Sequence, residues 1–574
     1  MTGIDIASMP SEVARRDGTA GRRVVTATPR RASDQTRRRV RLAIGAFVLA
    51  YLVVVGRLVM FGVMGPGIDN DSGNAVIAAG RPDLLDRNGE ILATDITRAS
   101  VYAEPRNIQD PDEATELLTS VLPDLDAKAL RTKLSGNAGF IWVKREVTAK
   151  QQDQIHDLGI PGIGFMRESK RFYPGGPTAS HLLGLVDIDN HGIAGMEKYV
   201  DDHWLGALRQ AGFARGDELA PVKLSIDIRV QHILRDELEA GMQRYRAVGG
   251  AGVILNIHTG EVLAMASLPD FDPNDPVDAH RPDRLNRASA GAFELGSVFK
   301  SFTFAMAFDT GAVSMDDKID ATHGIRVGRF TIDDFHAKHR VLTVPEVFTF
   351  SSNIGAARMA LKVGADRQQE YLRRFGLLTR ENTEIPEVAT PILPAKWSDL
   401  TVMTVAFGHG IAVTPLQVVA ADAALMNGGM LIPPTFLPRT REEADKLAVR
   451  VVKPETSEKL RYLFRLNVLQ GSGRNAAVPG YLVGGKTGTA EKVENGRYSA
   501  TKRLNSFLAA FPMDDPQFAV LVVLDDPQPE KPGEGAVAAM NTAPVVAAVI
   551  RRAAALLGVK PRLEEENGAV VVSN

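Results

Sequence analysis

Not one of the 574 residues is a cysteine. Disulfides, thiolate chemistry and cysteine-ligated zinc or iron-sulfur sites are therefore excluded, and the fold has to rest on packing. Net charge is almost missing as well: 67 lysines and arginines against 69 acids leave -2, which offers no global attraction to nucleic acid. No internal repeat or low-complexity tract is present. The helical HExxH arrangement of a zinc site is absent too. His336 and His339, with Asp333 and Asp334, lie in a polar segment that reads as a solvated loop, so no metal and no cofactor is expected.

What is present is ordinary globular material. A content of 44% hydrophobic and 24% charged residues rules out a wholly disordered or fibrous chain. Domains usually run ~100 to 200 residues, so two or three are expected. The charge is unevenly spread: residues 1–41 carry ten arginines against four acids and few apolar side chains, a basic tail expected to be disordered. Next comes LAIGAFVLAYLVVVGRLVMFGVM, Leu42 to Met64, apolar over 23 residues except for Arg57. That is about the ~20 residues a helix needs to span hydrocarbon, and it outruns the ~7 to 15 of a signal peptide core. The sequence predicts a transmembrane helix over 42–64, with Arg57 snorkelling toward the far interface. Arginines before the span, and Asp69 and Asp71 after it, leave the tail cytoplasmic and residues from about 65 outside the inner membrane.

Between 65 and 220 short alternating stretches such as Glu90 to Thr94 and Val101 to Glu104 mix with helical ones such as Asp112 to Leu122, an irregular α+β region. The pattern changes near Ala220-Pro221. A helix is predicted from about Arg229 to Arg246, then a hairpin with strands Ala251 to Asn256 and Glu261 to Ala266. Asn505 to Ala510 and Phe518 to Leu524 suit strands, and Val545 to Leu557 suits a last helix. An antiparallel sheet flanked by helices, formed from both ends of this region, follows.

Three clusters carry chemistry. In Gly296-Ser297-Val298-Phe299-Lys300, opening a helix that stops at Gly311, the i, i+3 spacing puts hydroxyl and amine on one face. The helix N-terminus there disfavours a positive lysine, and a neutral lysine can act as base. Such a pair alone occurs by chance in most chains of this size. The second cluster, Ser351-Ser352-Asn353, lies between a helix opened by the capping box Thr343/Glu346 and another from Ile354 to Lys362. The third, Lys486-Thr487-Gly488-Thr489, follows the strand-like YLVGG and offers a cation, hydroxyls and backbone donors. Gly480 to Thr487 also satisfies the phosphate-loop pattern GxxxxGK[ST], but such a loop must open a helix, and AEKVENGRYS has no amphipathic period.

In that order, SxxK, SxN and KTGT form the signature shared by penicillin-binding proteins and serine β-lactamases. The chain resembles a class B penicillin-binding protein from the apolar segment nearly to its C-terminal end. Secondary matches are Asp86-Arg87-Asn88-Gly89, Arg171-Phe172-Tyr173-Pro174, Gly195-Met196-Glu197, Asn286-Arg287-Ala288, Phe407-Gly408-His409-Gly410 and Thr414-Pro415-Leu416-Gln417. The family usually has proline where this chain has Leu295. The resemblance implies an α+β multidomain protein: tail 1–41, transmembrane helix 42–64, pedestal domain 65–220, penicillin-binding transpeptidase domain 221–560 and C-terminal tail 561–574.

It also implies roles. Ser297 would attack the carbonyl between two terminal D-alanines of a peptidoglycan stem peptide, with Lys300 accepting its proton and an acyl-enzyme resulting. Ser351 and Asn353 would relay protons and hold the substrate amide. Lys486, Thr487 and Thr489, with Gly488 between them, would bind the donor's terminal carboxylate. Backbone amides of Ser297 and Thr489 resemble the family's oxyanion hole. An amine from a neighbouring stem peptide would finish the cross-link, and β-lactams would acylate the same serine. No deacylating base of the class A β-lactamase kind is evident. His409 reads as a structural turn residue. A non-enzymatic β-lactam sensor, a D,D-carboxypeptidase or β-lactamase, and an elongation-type transpeptidase are the competing readings. Nothing before the apolar segment could house a glycosyltransferase domain, so lipid-linked glycan strands would be polymerised by a membrane partner of the SEDS type. Asn495-Gly496-Arg497-Tyr498 and Asn505-Ser506-Phe507 look more like division-specific members, which implies a septal role among other division proteins.

Overall fold

The computed structural model describes residues 44–55, 80–205, 219–328, 330–494, 497–533 and 535–562. Two compact units are present, Met1–Asn74 and Ala75–Asn574. In the first, residues 44–55 form a helix whose side chains are all exposed. Among the described residues no helix is long and apolar enough to cross a membrane. The rest of the expected 42–64 span, the basic tail and residues 563–574 lie outside the described residues.

The second unit begins with a sheet domain centred on the strand Ile91–Ala103, flanked antiparallel by Ile141–Val147 and Ile163–Phe172. The two short strands expected at Glu90 to Thr94 and Val101 to Glu104 are thus the ends of one 13-residue strand. The polar stretch between them escapes a hydrophobicity pattern because its ladder with Ile163–Phe172, unbroken from Thr94 to Ala103, holds it extended. Local chemistry starts the helices. Asp110 accepts from the amides of Asp112 and Glu113 ahead of Pro111–Val121, and Thr148 with Gln151 makes a capping box for Ala149–Asp157. Leu118 and Ile155 on these helices, with Leu122 at the end of the first and Leu130 on the helix Ala127–Leu134, are buried in one core with Val101 and Val143.

Several secondary motif matches meet where this domain joins the larger one. Arg81 and Arg171, both buried, reach the same carboxylate, Glu197, at 2.9 and 2.7 Å. Asp86 folds its own turn by accepting from Asn88 and Glu90, and also accepts from the amide of Ile228, which opens the long helix Ile228–Tyr245. Val222–Lys223 pairs in parallel with Leu84–Leu85, so the chain passes from one domain to the other as a strand of the first sheet.

The larger domain is built on five antiparallel strands in the order Gly484–Glu494, Arg497–Phe511, Phe518–Asp525, Gly249–Asn256, Val262–Leu268. Alternation along the buried strands serves two cores. Ile254, Val520 and Val522 face the helices Ile228–Tyr245 and Thr542–Ala553, whereas Val253, Leu255, Leu521 and Val523 face the helices Lys300–Asp309 and Pro415–Met426. Covering both faces explains why Phe518–Asp525 is buried throughout. The side with Lys300–Asp309 is the one that carries the three clusters.

Candidate active site

Ser297 sits in a single 3-10 turn, Gly296–Phe299, that runs directly into the helix Lys300–Asp309. That turn is pressed against the strand Gly484–Glu494 because two glycines remove the obstacles. A Cβ on Gly488 would lie 2.3 Å from the Leu295 carbonyl oxygen and 2.3 Å from Ser506 Oγ, and one on Gly296 (φ +59) would lie 2.7 Å from the Thr489 carbonyl oxygen. Ser506 Oγ donates to the Leu295 carbonyl at 3.2 Å and fastens the approach.

Lys300 is fully buried. Its Nζ lies 2.7 Å from Ser297 Oγ, 2.7 Å from Asn353 Oδ1 and 2.8 Å from the Ser351 carbonyl oxygen. The last two atoms can only accept, so they occupy both N–H groups of a neutral amine and leave its lone pair facing the serine hydroxyl. Asn353 Nδ2 donates to the Asp333 carbonyl at 3.0 Å, which fixes the end of the amide that faces the lysine. Burial pushes the Lys300 amine down to about 7, against a smaller opposing pull from Asp334.

Lys486, also fully buried, donates to Ser351 Oγ at 2.8 Å and to the Thr487 carbonyl at 3.1 Å. Burial, then the charge of Lys300, drives its amine well below the ordinary lysine range. Ser351 Oγ is thus shared by the two amines, 3.2 Å from Lys300 Nζ. Ser351 adopts a left-handed φ of +57 in the turn between the two helices, a strained conformation held by its neighbours.

Ser297, Lys300, Ser351, Asn353 and Lys486 therefore converge. Thr487 Oγ1 is 2.8 Å from Ser472 Oγ, and Thr489 Oγ1 accepts from the Ala538 amide at 3.2 Å. The strand at Lys486 disposes of the phosphate-loop pattern, which requires a helix at that point.

Three groups escaped the sequence reading. Asp334 is not a solvated loop residue: its carboxylate accepts from Ser352 Oγ at 2.7 Å and from the Ile354 amide at 2.9 Å, pinning the 351–353 turn, whereas His336 and His339 are exposed as expected. Ser472, which meets Thr487, had only its flanking glycines Gly471 and Gly473 as a signal. The third is Glu294, three residues before Ser297, which accepts from the Gly410 amide at 3.1 Å and from Tyr498 OH at 3.1 and 3.2 Å. His409, whose amide donates to the Thr404 carbonyl, has its ring between Phe407 and Tyr498, at 5.4 and 5.3 Å between centroids. Burial, then Lys300, holds its imidazole down at about 4.

Residues 250–549 match the family described as penicillin binding protein transpeptidase domain, and residues 76–207 match the penicillin-binding protein dimerisation domain. The chain is 38% identical to the probable peptidoglycan D,D-transpeptidase FtsI of Caulobacter vibrioides, over 93% of this chain and 91% of that one. It is 30% identical to the peptidoglycan D,D-transpeptidase FtsI of Escherichia coli, over 89% and 91%. Among solved structures, penicillin binding protein 3 of Mycobacterium tuberculosis complexed with aztreonam aligns with a TM-score of 0.64 at 26% identity, covering 84% of this chain and 97% of that one. With a dimerisation and a transpeptidase domain in sequence and the three clusters gathered around one serine, the chain belongs to the class B penicillin-binding proteins.

Proposed function

We propose that this chain is a peptidoglycan D,D-transpeptidase that acylates Ser297 with a stem peptide and passes the acyl group to an amine. The observation that carries this reading is the fully buried Lys300 amine 2.7 Å from Ser297 Oγ, with two pure acceptors, the Ser351 carbonyl and Asn353 Oδ1, on its other sides. Neutral Lys300 takes the serine proton as Oγ attacks the penultimate D-alanyl carbonyl, and returns it to the departing D-alanine amine. Ser351, bonded to both lysines, relays protons between them. Lys486, Thr487 and Thr489 hold the donor's terminal carboxylate, Asn353 holds the substrate amide, and the backbone amides of Ser297 and Thr489 receive the developing oxyanion. No step requires a metal or cofactor.

The test is covalent labelling by a fluorescent penicillin, with the adduct mapped by mass spectrometry to the peptide containing Ser297. Because the base must be neutral, the acylation rate is expected to be flat above about pH 7 and to fall about tenfold per pH unit below it. A chain left unlabelled by every β-lactam would sink the proposal.

The reading extends to an anchor over 42–64, a cytoplasmic tail, a domain division at 220/221, a SEDS-type polymerase partner and action at the division septum. The similarity to two proteins named FtsI supports the last of these. Depletion is expected to give filamentous cells with carbonate-resistant, septal protein in the undepleted strain. Rounded cells that still divide would count against it.

A further inference from the structure

Cross-linking joins two reactants of opposite charge, and the site as described provides for only one. The donor ends in a carboxylate, which Lys486 and the threonines suit. The acceptor arrives as a primary ammonium, and none of the residues given a role in the mechanism above carries a negative charge to meet it.

Glu294 supplies the missing charge. It lies three residues before Ser297 on the segment that leads into the nucleophile's turn. Three parts of the site meet at its carboxylate: its own turn, the loop Phe407 to Gly410 through the Gly410 amide, and the long hairpin through Tyr498. That loop abuts the nucleophile's turn directly, since a Cβ on Gly408 would lie 2.3 Å from the Gly296 carbonyl oxygen. Only neutral donors serve the carboxylate. Among the described residues no lysine or arginine pairs with it, and Oε2 holds only a share of the tyrosine hydroxyl at 3.2 Å and His409 Nδ1 at 3.9 Å. Burial raises the carboxyl's pKa, the mark of a negative charge without a counter-ion. The depressed imidazole of His409 leaves that neighbour neutral at working pH. Yet the place is open to a ligand, with 16% of the Glu294 and 24% of the His409 side chain exposed.

We propose that Glu294 is the binding residue for the acceptor amine, its carboxylate holding the incoming ammonium of the second stem peptide beside the Ser297 acyl ester. The inference rests on the transpeptidase reading above. The ammonium gives one proton to solvent through Lys300, neutral again once the donor's D-alanine has left. The amine lone pair forms the N–C bond, the bond from the acyl carbon to Ser297 Oγ breaks, and a second N–H proton returns to Oγ through Lys300. The donor's carboxylate is kept out of this position by like charge, so the two substrates are sorted by sign.

The test uses the full chain in detergent with a thioester stem-peptide analogue as donor and either a D-amino acid amide, cationic, or methanol, neutral, as acceptor. Glu294→Gln keeps an oxygen for both donors and removes only the charge. Transfer to the cationic amine, relative to hydrolysis, is expected to fall at least about 10-fold through a raised acceptor KM, with transfer to methanol falling far less. Equal losses with both acceptors would make Glu294 a positioning residue and overturn the proposal, as would no loss with either. Acylation by penicillin, measured on the same samples, reports whether the variant is folded. A wild type that no donor acylates would instead refute the transpeptidase reading itself.

Discussion

Ser297→Ala is expected to abolish the penicillin adduct, and Lys300→Met to lower the second-order rate of acylation by about 10³-fold, within the ~10²- to 10⁴-fold that a positioned base contributes. Methionine matches the length of the lysine stem and removes only the lone pair and the two N–H groups. The partners left behind, the Ser351 carbonyl and Asn353 Oδ1, each lose a donor at a cost of ~1 to 3 kcal/mol. Against that stands the relief of no longer burying an amine. With the folded group at about 7 and the free group at 10.5, the folded state binds fewer protons than the unfolded one between those values. The penalty is therefore full below pH 7, about 5 kcal/mol, and fades as pH rises toward 10.5. Thermal unfolding of Lys300→Met should lose about one proton's worth of this pH slope, while Lys486 keeps its own. An acylation rate within a few-fold of wild type would show that another group takes the serine proton.

The second large effect is on stability. Glu197→Ala is expected to cost ~3 to 5 kcal/mol and to lower the apparent melting temperature of the sheet domain by about 10 °C, read by calorimetry. Glu197 and Arg81 have fully buried side chains, and Arg171 is 1% exposed. Removing the shared carboxylate leaves two guanidinium groups in the interior. Asp201 and Asp95 remain to them, at 2.8 and 3.1 Å, each on a single guanidinium nitrogen. The loss comes from stranded cations rather than from a missing attraction, so Arg171→Met with Glu197→Ala should recover part of it. An unshifted transition in the single variant would mean that water or the two aspartates already satisfy both arginines.

Parts of this molecule were legible residue by residue. The Thr343/Glu346 box opens its helix at Val344, Ile228–Tyr245 falls within a residue of the predicted limits, and the hairpin of Gly249–Asn256 with Val262–Leu268 appears where the strand pattern puts it. Each of these is specified by side chains within a few positions of one another. The 13-residue strand Ile91–Ala103 was not, because a backbone partner some 70 positions away, and no local pattern, holds its polar middle extended. The clamp made by Asp334 is hidden from the sequence for the same reason. A polar loop residue and a turn clamp have the same local sequence and differ only in what comes to meet them.

By itself, the sequence determined the inventory: a serine and a lysine on one helical face, a second serine in a tight turn, a lysine leading a strand, and no cysteine or metal motif to offer another chemistry. These follow from residue type and short spacing, which the chain carries wherever it folds. Only the tertiary structure decided the rest. It brought residues 51 and 135 positions apart to within 3.2 Å at Ser351, took water away from two lysines so that one could be a base, and joined the Glu294 carboxylate, three residues before Ser297, to the Gly410 amide and Tyr498. Proton affinity and charge balance belong to an environment, and an environment is assembled from distant parts of the chain.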